Sequence, residues 1–330
     1  MSPFRDSENM QIMAGDQPED PVPEVTVIVV SYNTRELTLA AVRTLLDNNP
    51  GLAMHVVVWD NASVDGSAAA VAAAFPSIEV IASPENIGFA AANNRVAAAA
   101  TTPFICLLNP DTETHFNAIS NLLAFAKAHP EAGIVGGRTV FRDGSLNPAS
   151  CWRKMTPWTL FTSTFGLARL FPNSDLFNAE AMGGWRRDSV RHVDIVVGCL
   201  MLVPTELWRR LGGFDERFFM YGEDADICLR ARALGYRPMI TPDATIMHLV
   251  GASTKRHADK VCTVMQAKST LIRRHWPQWL VWLGLAQLWL WALVRGMLAK
   301  VHPDPGQRDR LGQIWRERRR WLLGFPEVQL

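Results

Sequence analysis

The sequence predicts an α/β fold built on a Rossmann-like, mostly parallel central sheet flanked by helices, and three observations carry that prediction. Short apolar runs alternate with amphipathic or alanine-rich stretches over the first third of the chain. The runs are continuous and rich in β-branched residues, without the alternation of a half-exposed sheet, which suits strands buried on both faces. Each run also ends in polar residues, as strands do where an open parallel sheet gathers its ligand site at the carboxyl edge.

Taken in order, VTVIVV (Val25–Val30) is the first predicted strand, followed by a helix over Thr34–Asn48. Strands at His55–Trp59, Ile78–Ala82 and Pro103–Leu108 then alternate with helices at Ser67–Phe75 and Phe89–Ala100. The turns Ser31-Tyr32-Asn33, Asp60-Asn61 and Asn109-Pro110-Asp111 should therefore line one cleft. From about Arg142 to Val190, scattered Trp, Pro and Gly predict long loops over that cleft, with one helix near Trp158–Leu170. Regular pattern resumes with a buried strand at Val193–Val203 and a helix at Thr205–Leu211. The loop Gly212–Gly222, a helix over Glu223–Leu234 and a strand near Pro238–Met247 complete the domain.

Composition sets the bounds. A chain of 330 residues with 48% apolar and 20% charged residues is globular material for one large domain or two small ones. Its net charge of +1 gives no general attraction to nucleic acid. Five scattered cysteines without a C-x-x-C pair indicate neither a zinc site nor a disulfide framework, and fit a reducing compartment. Residues 1–23 are rich in Asp, Glu, Pro and Met and lack the apolar core of a secretory signal, so a flexible tail is expected.

The segment Trp276–Val294 has no charge and carries five of the twelve tryptophans. At about 1.5 Å per residue it reaches roughly 28 Å, just short of the ~30 Å hydrocarbon core. Tryptophan enrichment favours the headgroup region, and the following tail is dominated by Arg295, Lys300, Arg308, Arg310, Arg316, Arg318, Arg319 and Arg320. The expectation is a helix lying on the anionic cytoplasmic face of a membrane; the alternative is a buried helix, or one that pairs in a homodimer. Three units follow: the 1–23 tail, an α/β domain over 24–275, and a 276–330 extension of aromatic helix and basic amphipathic tail.

Several polar groups point to chemistry. Asp111, directly after an apolar strand, is placed to hold a hard divalent cation, Mg²⁺ or Mn²⁺, bridging two phosphates; Asn, Pro and Asp are also ordinary turn residues. Glu223, Asp224 and Asp226 open a helix, where one or two acids would serve the macrodipole and three exceed that need. One facing the cleft could take a proton from an attacking hydroxyl; the others would pair with nearby arginines. His248 follows a strand and could complete a metal site from the opposite wall. Gly88, in the turn Glu85–Phe89, would allow close backbone approach at a helix N-terminus, with Asn93 one turn on. Arg273 and Arg274, clustered with Lys268, could meet phosphates or remain solvated.

Together, VIVVSYN (Val27–Asn33), VVVWDNASVDGS (Val56–Ser67), ENIGFAAANN (Glu85–Asn94), LLNPDTE (Leu107–Glu113), GGFDERFFMYGEDADICLRARALGY (Gly212–Tyr236) and HLVGAST (His248–Thr254) resemble the family 2 glycosyltransferases of the GT-A fold, most closely a bacterial rhamnosyltransferase-like branch. The resemblance covers about residues 25 to 275. It implies inverting transfer from a nucleotide-sugar, dTDP-rhamnose first and a UDP-hexose second, to a glycan or polyprenyl-diphosphate-linked acceptor in cell-envelope polysaccharide synthesis. It implies Asp224 as the base, supported by Glu223 and Asp226, and Asp111 with His248 as metal ligands. Ser31, Asn33, Asp60, Asn61, Asn86, Gly88, Asn93 and Asn109 would line the nucleotide pocket, with Asp60 against the pyrimidine. Asn109 departs from the family's D-x-D. A nucleotidyltransferase would leave the Glu223–Asp226 group without a purpose, and an inactive membrane-docked scaffold would turn over no donor.

Overall fold

The computed structural model describes residues 22–249, 257–301 and 303–326. The expected tail up to residue 21 and residues 250–254 of the His248 segment lie outside the described residues. The chain runs β1 (Val25–Ser31), α1 (Arg35–Asp47), β2 (Met54–Asp60), α2 (Ser67–Ala74), β3 (Glu79–Ala82), α3 (Phe89–Ala99), β4 (Phe104–Leu108) and β5 (Thr112–Thr114). It continues through α4 (Ala118–Ala128), β6 (Val135–Val140), β7 (Leu146–Asn147), β8 (Cys151–Trp152), α5 (Pro157–Thr164), α6 (Leu167–Leu170), β9 (Arg191–His192), β10 (Ile195–Val196), β11 (Leu200–Pro204) and α7 (Thr205–Leu211). Last come α8 (Glu223–Ala233), β12 (Met239–His248), α9 (His257–His275), α10 (Gln278–Val301), α11 (Pro305–Arg316) and α12 (Arg318–Leu322).

Every residue of β1 is buried, as its continuous apolar run requires of a strand covered on both faces. Its side chains alternate between two cores. Val27 and Val29 join Val42 and Leu45 of α1 and Ile119 and Leu122 of α4, whereas Ile28 and Val30 join Ala92 and Val96 of α3 and Ile227 of α8. The result is a three-layer sandwich with the sheet in the middle.

The sheet order is β3-β2-β1-β4-β11-β6-β12-β5. Its first four strands are parallel, with Ser31 beside Asp60 and Ile28 beside Leu107 in register. The chain winds outward from β1 to β3 and then returns to β4 on the other side of β1, so the order reverses between those strands and a cleft opens at their carboxyl ends. Beyond β4 the sheet is mixed: β11 runs antiparallel to β4 and β6, and β12 runs parallel to β6.

The structure corrects the element reading in three places. The strand expected over Val193–Val203 is two, β10 and β11, separated by a turn at residues 197–199. The helix expected over Trp158–Leu170 breaks into α5 and α6 at Phe165-Gly166. The 112–140 stretch, to which no element was assigned from sequence, holds β5, α4 and β6. Its β6, VGGRTV, hides its apolar character behind two glycines, and they are needed for close packing. A Cβ on Gly137 would lie 2.0 Å from the carbonyl oxygen of Ala244, where the β6–β12 register shifts between Thr241 and Thr245. All five cysteines are free, four of them buried.

The C-terminal helices build a further layer. Leu160 of α5, Met265 and Ile272 of α9, Val281, Leu288 and Ala292 of α10, Ile314 of α11 and Trp321 of α12 share one buried cluster. A smaller cluster, Phe218, Ala225, Ala267 and Leu271, joins α9 to the start of α8.

Gly137→Ala should lower stability by about 3 kcal/mol or more, because overpacking here meets a backbone carbonyl that has no room to move. Urea unfolding of the two proteins checks this; an unchanged midpoint would show that the β6–β12 contact yields.

Candidate active site

The turns after β1 and β2 are laced to each other. Asn33, in the left-handed region at φ 52°, donates its backbone N–H to Ser63 Oγ at 2.8 Å and accepts the Val64 N–H on Oδ1 at 2.8 Å. Asp60, buried at the end of β2, accepts the Ser63 N–H on Oδ1 at 2.9 Å, while its Oδ2 is buried without a partner. Ser31 turns inward instead, sharing hydrogen bonds with the hydroxyls of Thr34 and Thr38.

Asn61 braces the next wall of the cleft. Its Oδ1 accepts the Ile87 N–H at 3.1 Å and its Nδ2 donates to the Gly88 carbonyl at 3.1 Å. Asn86 Oδ1 accepts the Gly88 N–H at 3.0 Å. A Cβ on Gly88 would lie 2.6 Å from the Phe219 carbonyl oxygen, which also accepts the Phe89 N–H at 2.9 Å. Only glycine permits that approach, and it ties the start of α3 to the loop before α8. Asn93 donates to the Phe89 carbonyl and keeps a buried, unpartnered Oδ1.

At the end of β4, the Asn109 N–H donates to the Cys199 carbonyl at 3.1 Å. Asp111 and His248 meet as the sequence suggested. The pairing of β5 with β12 sets Thr112 opposite His248, and the buried Asp111 Oδ1 lies 3.3 Å from His248 Nε2. Burial alone would depress the imidazole, but hydrogen bonds to Asp111 and Cys199 outweigh it and raise its pKa to about 10. His248 Nδ1 is buried without a partner. One carboxylate and one imidazole are a donor set that a hard divalent cation could use. Among the described residues no group of three His, Cys, Asp or Glu side chains forms a closed metal site.

The three acids of α8 diverge. Asp224 is partly exposed; its Oδ1 accepts the Ala225 N–H at 2.7 Å and its Oδ2 the Gly198 N–H at 3.4 Å. Burial raises its pKa against those backbone donors. Glu223 is buried with an unpartnered Oε2; burial and then the neighbouring Asp224 charge push it up to about 8. Asp226, fully buried, meets Arg230 Nε at 2.7 Å, Arg274 Nε at 2.9 Å and His275 Nε2 at 2.8 Å. Burial would raise its carboxyl, and those three partners reverse the direction and hold it low. Arg274 also pairs with Asp215, Lys268 pairs with Glu180 at 2.9 Å, and Arg273 donates to the Leu322 carbonyl. The expectation that Arg274 reaches phosphates is therefore replaced by a structural role.

The turn at residues 197–199, which the sequence reading merged into a strand, touches both halves of the site. Gly198 donates to Asp224, and the Cys199 carbonyl holds the Asn109 turn that leads to Asp111. The glycine within an otherwise apolar run, VVGCLM, was the available signal. Of seven buried side-chain polar atoms without a partner among the described residues, four belong to Asp60, Asn93, Glu223 and His248. Unmet hydrogen-bonding capacity is thus concentrated among the residues singled out from the sequence.

The profile of glycosyl transferase family 2 matches residues 26–194, ending before α8. An N-acetylglucosaminyl-diphospho-decaprenol L-rhamnosyltransferase of Mycobacterium tuberculosis is 29% identical over 218 residues, covering 62% of this chain and 69% of that protein. The O-antigen biosynthesis protein RfbC of Myxococcus xanthus is 26% identical over 241 residues, 72% of this chain but 18% of its own length. Among solved structures, a mannosyltransferase from Pyrobaculum calidifontis in complex with GDP-Man and Mn²⁺ superposes with a TM-score of 0.56 at 18% identity, covering 90% of this chain and 87% of that one. That likeness establishes the GT-A architecture.

Two stability experiments probe the acids. Glu223 binds its proton more tightly folded than unfolded, so stability should fall as pH rises from 4.5 through about 8, and Glu223→Gln should lack that slope. Thermal melts across this range check it; parallel profiles would show that Glu223 is not perturbed. Asp226→Asn should cost about 3 kcal/mol by leaving buried cations uncompensated, measured by urea unfolding.

Proposed function

The chain belongs to glycosyl transferase family 2, and on that premise we propose that it is an inverting, metal-dependent hexosyltransferase in which Asp224 is the base. The observation that supports this best is the turn at residues 197–199, which holds Asp224 through the Gly198 N–H and the Asn109–Asp111 turn through the Cys199 carbonyl. A proton acceptor and a diphosphate-binding pair are thereby set on one short piece of backbone.

In this reading Asp224 takes the proton of an acceptor hydroxyl as that oxygen attacks the anomeric carbon. The bond from that carbon to the diphosphate oxygen breaks on the opposite face, its electron pair leaves with the nucleoside diphosphate, and the configuration inverts. Its raised pKa suits a base better than an ordinary aspartate would. Glu223, buried beside it with its carboxyl pushed up to about 8, stays largely protonated near neutral pH and leaves Asp224 as the charged acid, and Asp226 fixes the helix. Asp111 and His248 would hold Mg²⁺ or Mn²⁺, which when bound neutralises charge on the leaving diphosphate. The free Oδ2 of Asp60 is available to a pyrimidine N–H, and Asn33, Asn61, Asn86, Gly88, Asn93 and Asn109 shape the nucleotide wall, with Ser31 bracing it from beneath.

We assign dTDP-rhamnose as the first donor and a UDP-hexose as the second, and a polyprenyl-diphosphate-linked saccharide as acceptor on the cytoplasmic face of the membrane. Supporting this is the mycobacterial relative, an N-acetylglucosaminyl-diphospho-decaprenol L-rhamnosyltransferase.

Purified full-length protein assayed with dTDP- and UDP-sugars should turn over donor with Mn²⁺ or Mg²⁺ and stop on chelation. Asp224→Asn should lower kcat by about a thousandfold with little change in donor KM. The acid limb of the wild-type pH profile should lie above the ordinary aspartate range. Full activity in Asp224→Asn would remove the base assignment, and absence of nucleotide-sugar binding by folded protein would remove the enzyme reading.

A further inference from the structure

Thirteen of the twenty-one large apolar side chains left exposed among the described residues lie in two stretches, residues 158–176 around α5 and α6 and residues 279–323 of the C-terminal helical layer. One part is a continuous aromatic cluster. Ring centroids follow Phe165–Phe161 at 4.8 Å, Phe161–Trp158 at 5.6 Å, Trp158–Phe177 at 6.2 Å and Phe177–Phe171 at 5.0 Å. Phe165, Phe171, Trp158 and Phe161 are each exposed. The other part is α10. Val281, Gly284, Leu288, Ala292 and Ala299 recur at helical spacing and face the interior, while Trp279, Trp282, Ala286, Trp289 and Met297 fall on the opposite side and are exposed, Trp279 by 72% and Trp282 by 68%. The two parts adjoin: Gln287 Nε2 donates to the Pro157 carbonyl at 2.9 Å, and Arg295 donates to the carbonyls of Thr164 and Ser163.

An apolar face of this extent needs a cover. α10 has 24 residues and a mean hydropathy of 1.4, long and apolar enough to cross a bilayer by itself. Its contacts argue for a different placement. Gln287 and Arg295 bind it along α5, and Trp289 packs against Trp315 of α11, a helix that carries Arg308, Asp309, Arg310 and Arg316. Crossing would carry α5 and α11 into hydrocarbon, where each charged residue costs about 2.5–3.5 kcal/mol. Lying flat with only the outward face immersed avoids that cost.

Charge identifies the cover. Arg295 is held against the end of α5 through the Ser163 and Thr164 carbonyls, and the exposed Arg169 lies on α6, which follows directly. Among the described residues neither arginine pairs with a carboxylate, so two cations stand together beside exposed aromatic rings. Lys300, Arg308, Arg310, Arg319 and Arg320 add exposed positive charge to the same layer.

We propose that the outward face of α10 and the Trp158–Phe171 aromatic cluster together form a docking surface that lies flat on an anionic lipid bilayer, with Arg169 and Arg295 receiving a headgroup phosphate. This goes beyond the transfer reaction and does not rest on it, since docking needs no donor.

The test is sedimentation of the full chain with phosphatidylcholine vesicles, with and without phosphatidylglycerol. Binding should require the anionic lipid, weaken with salt and resist free pyrophosphate. The Trp279→Ala/Trp282→Ala double variant should lose partitioning about tenfold or more, as should Phe161→Ala/Phe165→Ala. Arg169→Glu should weaken binding to anionic vesicles alone. Bromines near the headgroups should quench the Trp279 and Trp282 fluorescence more than bromines near the bilayer centre. Transfer to a water-soluble acceptor should be unchanged in all three variants, which separates failure of docking from failure of the catalytic reading. Unchanged partitioning in the folded variants, strongest quenching at the bilayer centre, competition by free pyrophosphate, or a soluble dimer that the double tryptophan variant dissolves would each overturn the proposal.

Discussion

The buried carboxylate of Asp226 sets the geometry of everything around it. A charge with no solvent exposure must be met on all sides, and Arg230, Arg274 and His275 do so. Arg230 in turn donates to the carbonyls of Leu211 and Gly213, so the loop before α8 is held by the same group. Fixing Asp226 fixes the rotation of the helix. At 3.6 residues per turn, Glu223 comes about 60° from Asp226 and is carried into the interior with it. Asp224 comes about 160° away, and it is the one acid of the three left partly exposed. The partition into one buried anchor, one buried raised carboxyl and one accessible carboxylate follows from helical period once the anchor is tied.

The same anchor connects distant parts of the chain. Arg274 and His275 end α9, a few residues before α10, while Phe218, Ala225, Ala267 and Leu271 pack across the α8–α9 contact. The helical layer therefore meets the candidate base through an ion-pair knot reinforced by an apolar seam. The sheet supplies the other half of the site by a separate route. β1, β2 and β4 stop at the same edge because parallel register aligns their ends, and the turns there exchange hydrogen bonds through Asn33, Ser63, Asn61 and Gly88. The turn at residues 197–199 joins the two halves.

How much of this was legible in the sequence depended on whether a local pattern or a distant partner decides the outcome. The first four strands are short, mostly apolar runs, and β1, whose run is β-branched throughout, is buried along its whole length as a doubly covered parallel strand requires; the ends of all four fell within a residue or so of expectation. Asp111, His248, Asp224 and Asp60 were visible because carboxylates and imidazoles after apolar strands or at helix starts have a chemical reason to be there. β6 was missed because its two glycines answer to β12 and β11, more than a hundred and about sixty residues away respectively, and not to anything within the strand. Asp226 shows the same limit on the functional side. Three acids in four positions read alike, and what separates them is Arg274 and His275 on another helix, which residue spacing within α8 does not encode. The division of Trp279 and Trp282 from Val281 and Leu288 is a third case. A helix this apolar all round gives no stripe to read, so which side faces outward is settled by the helices that pack against it.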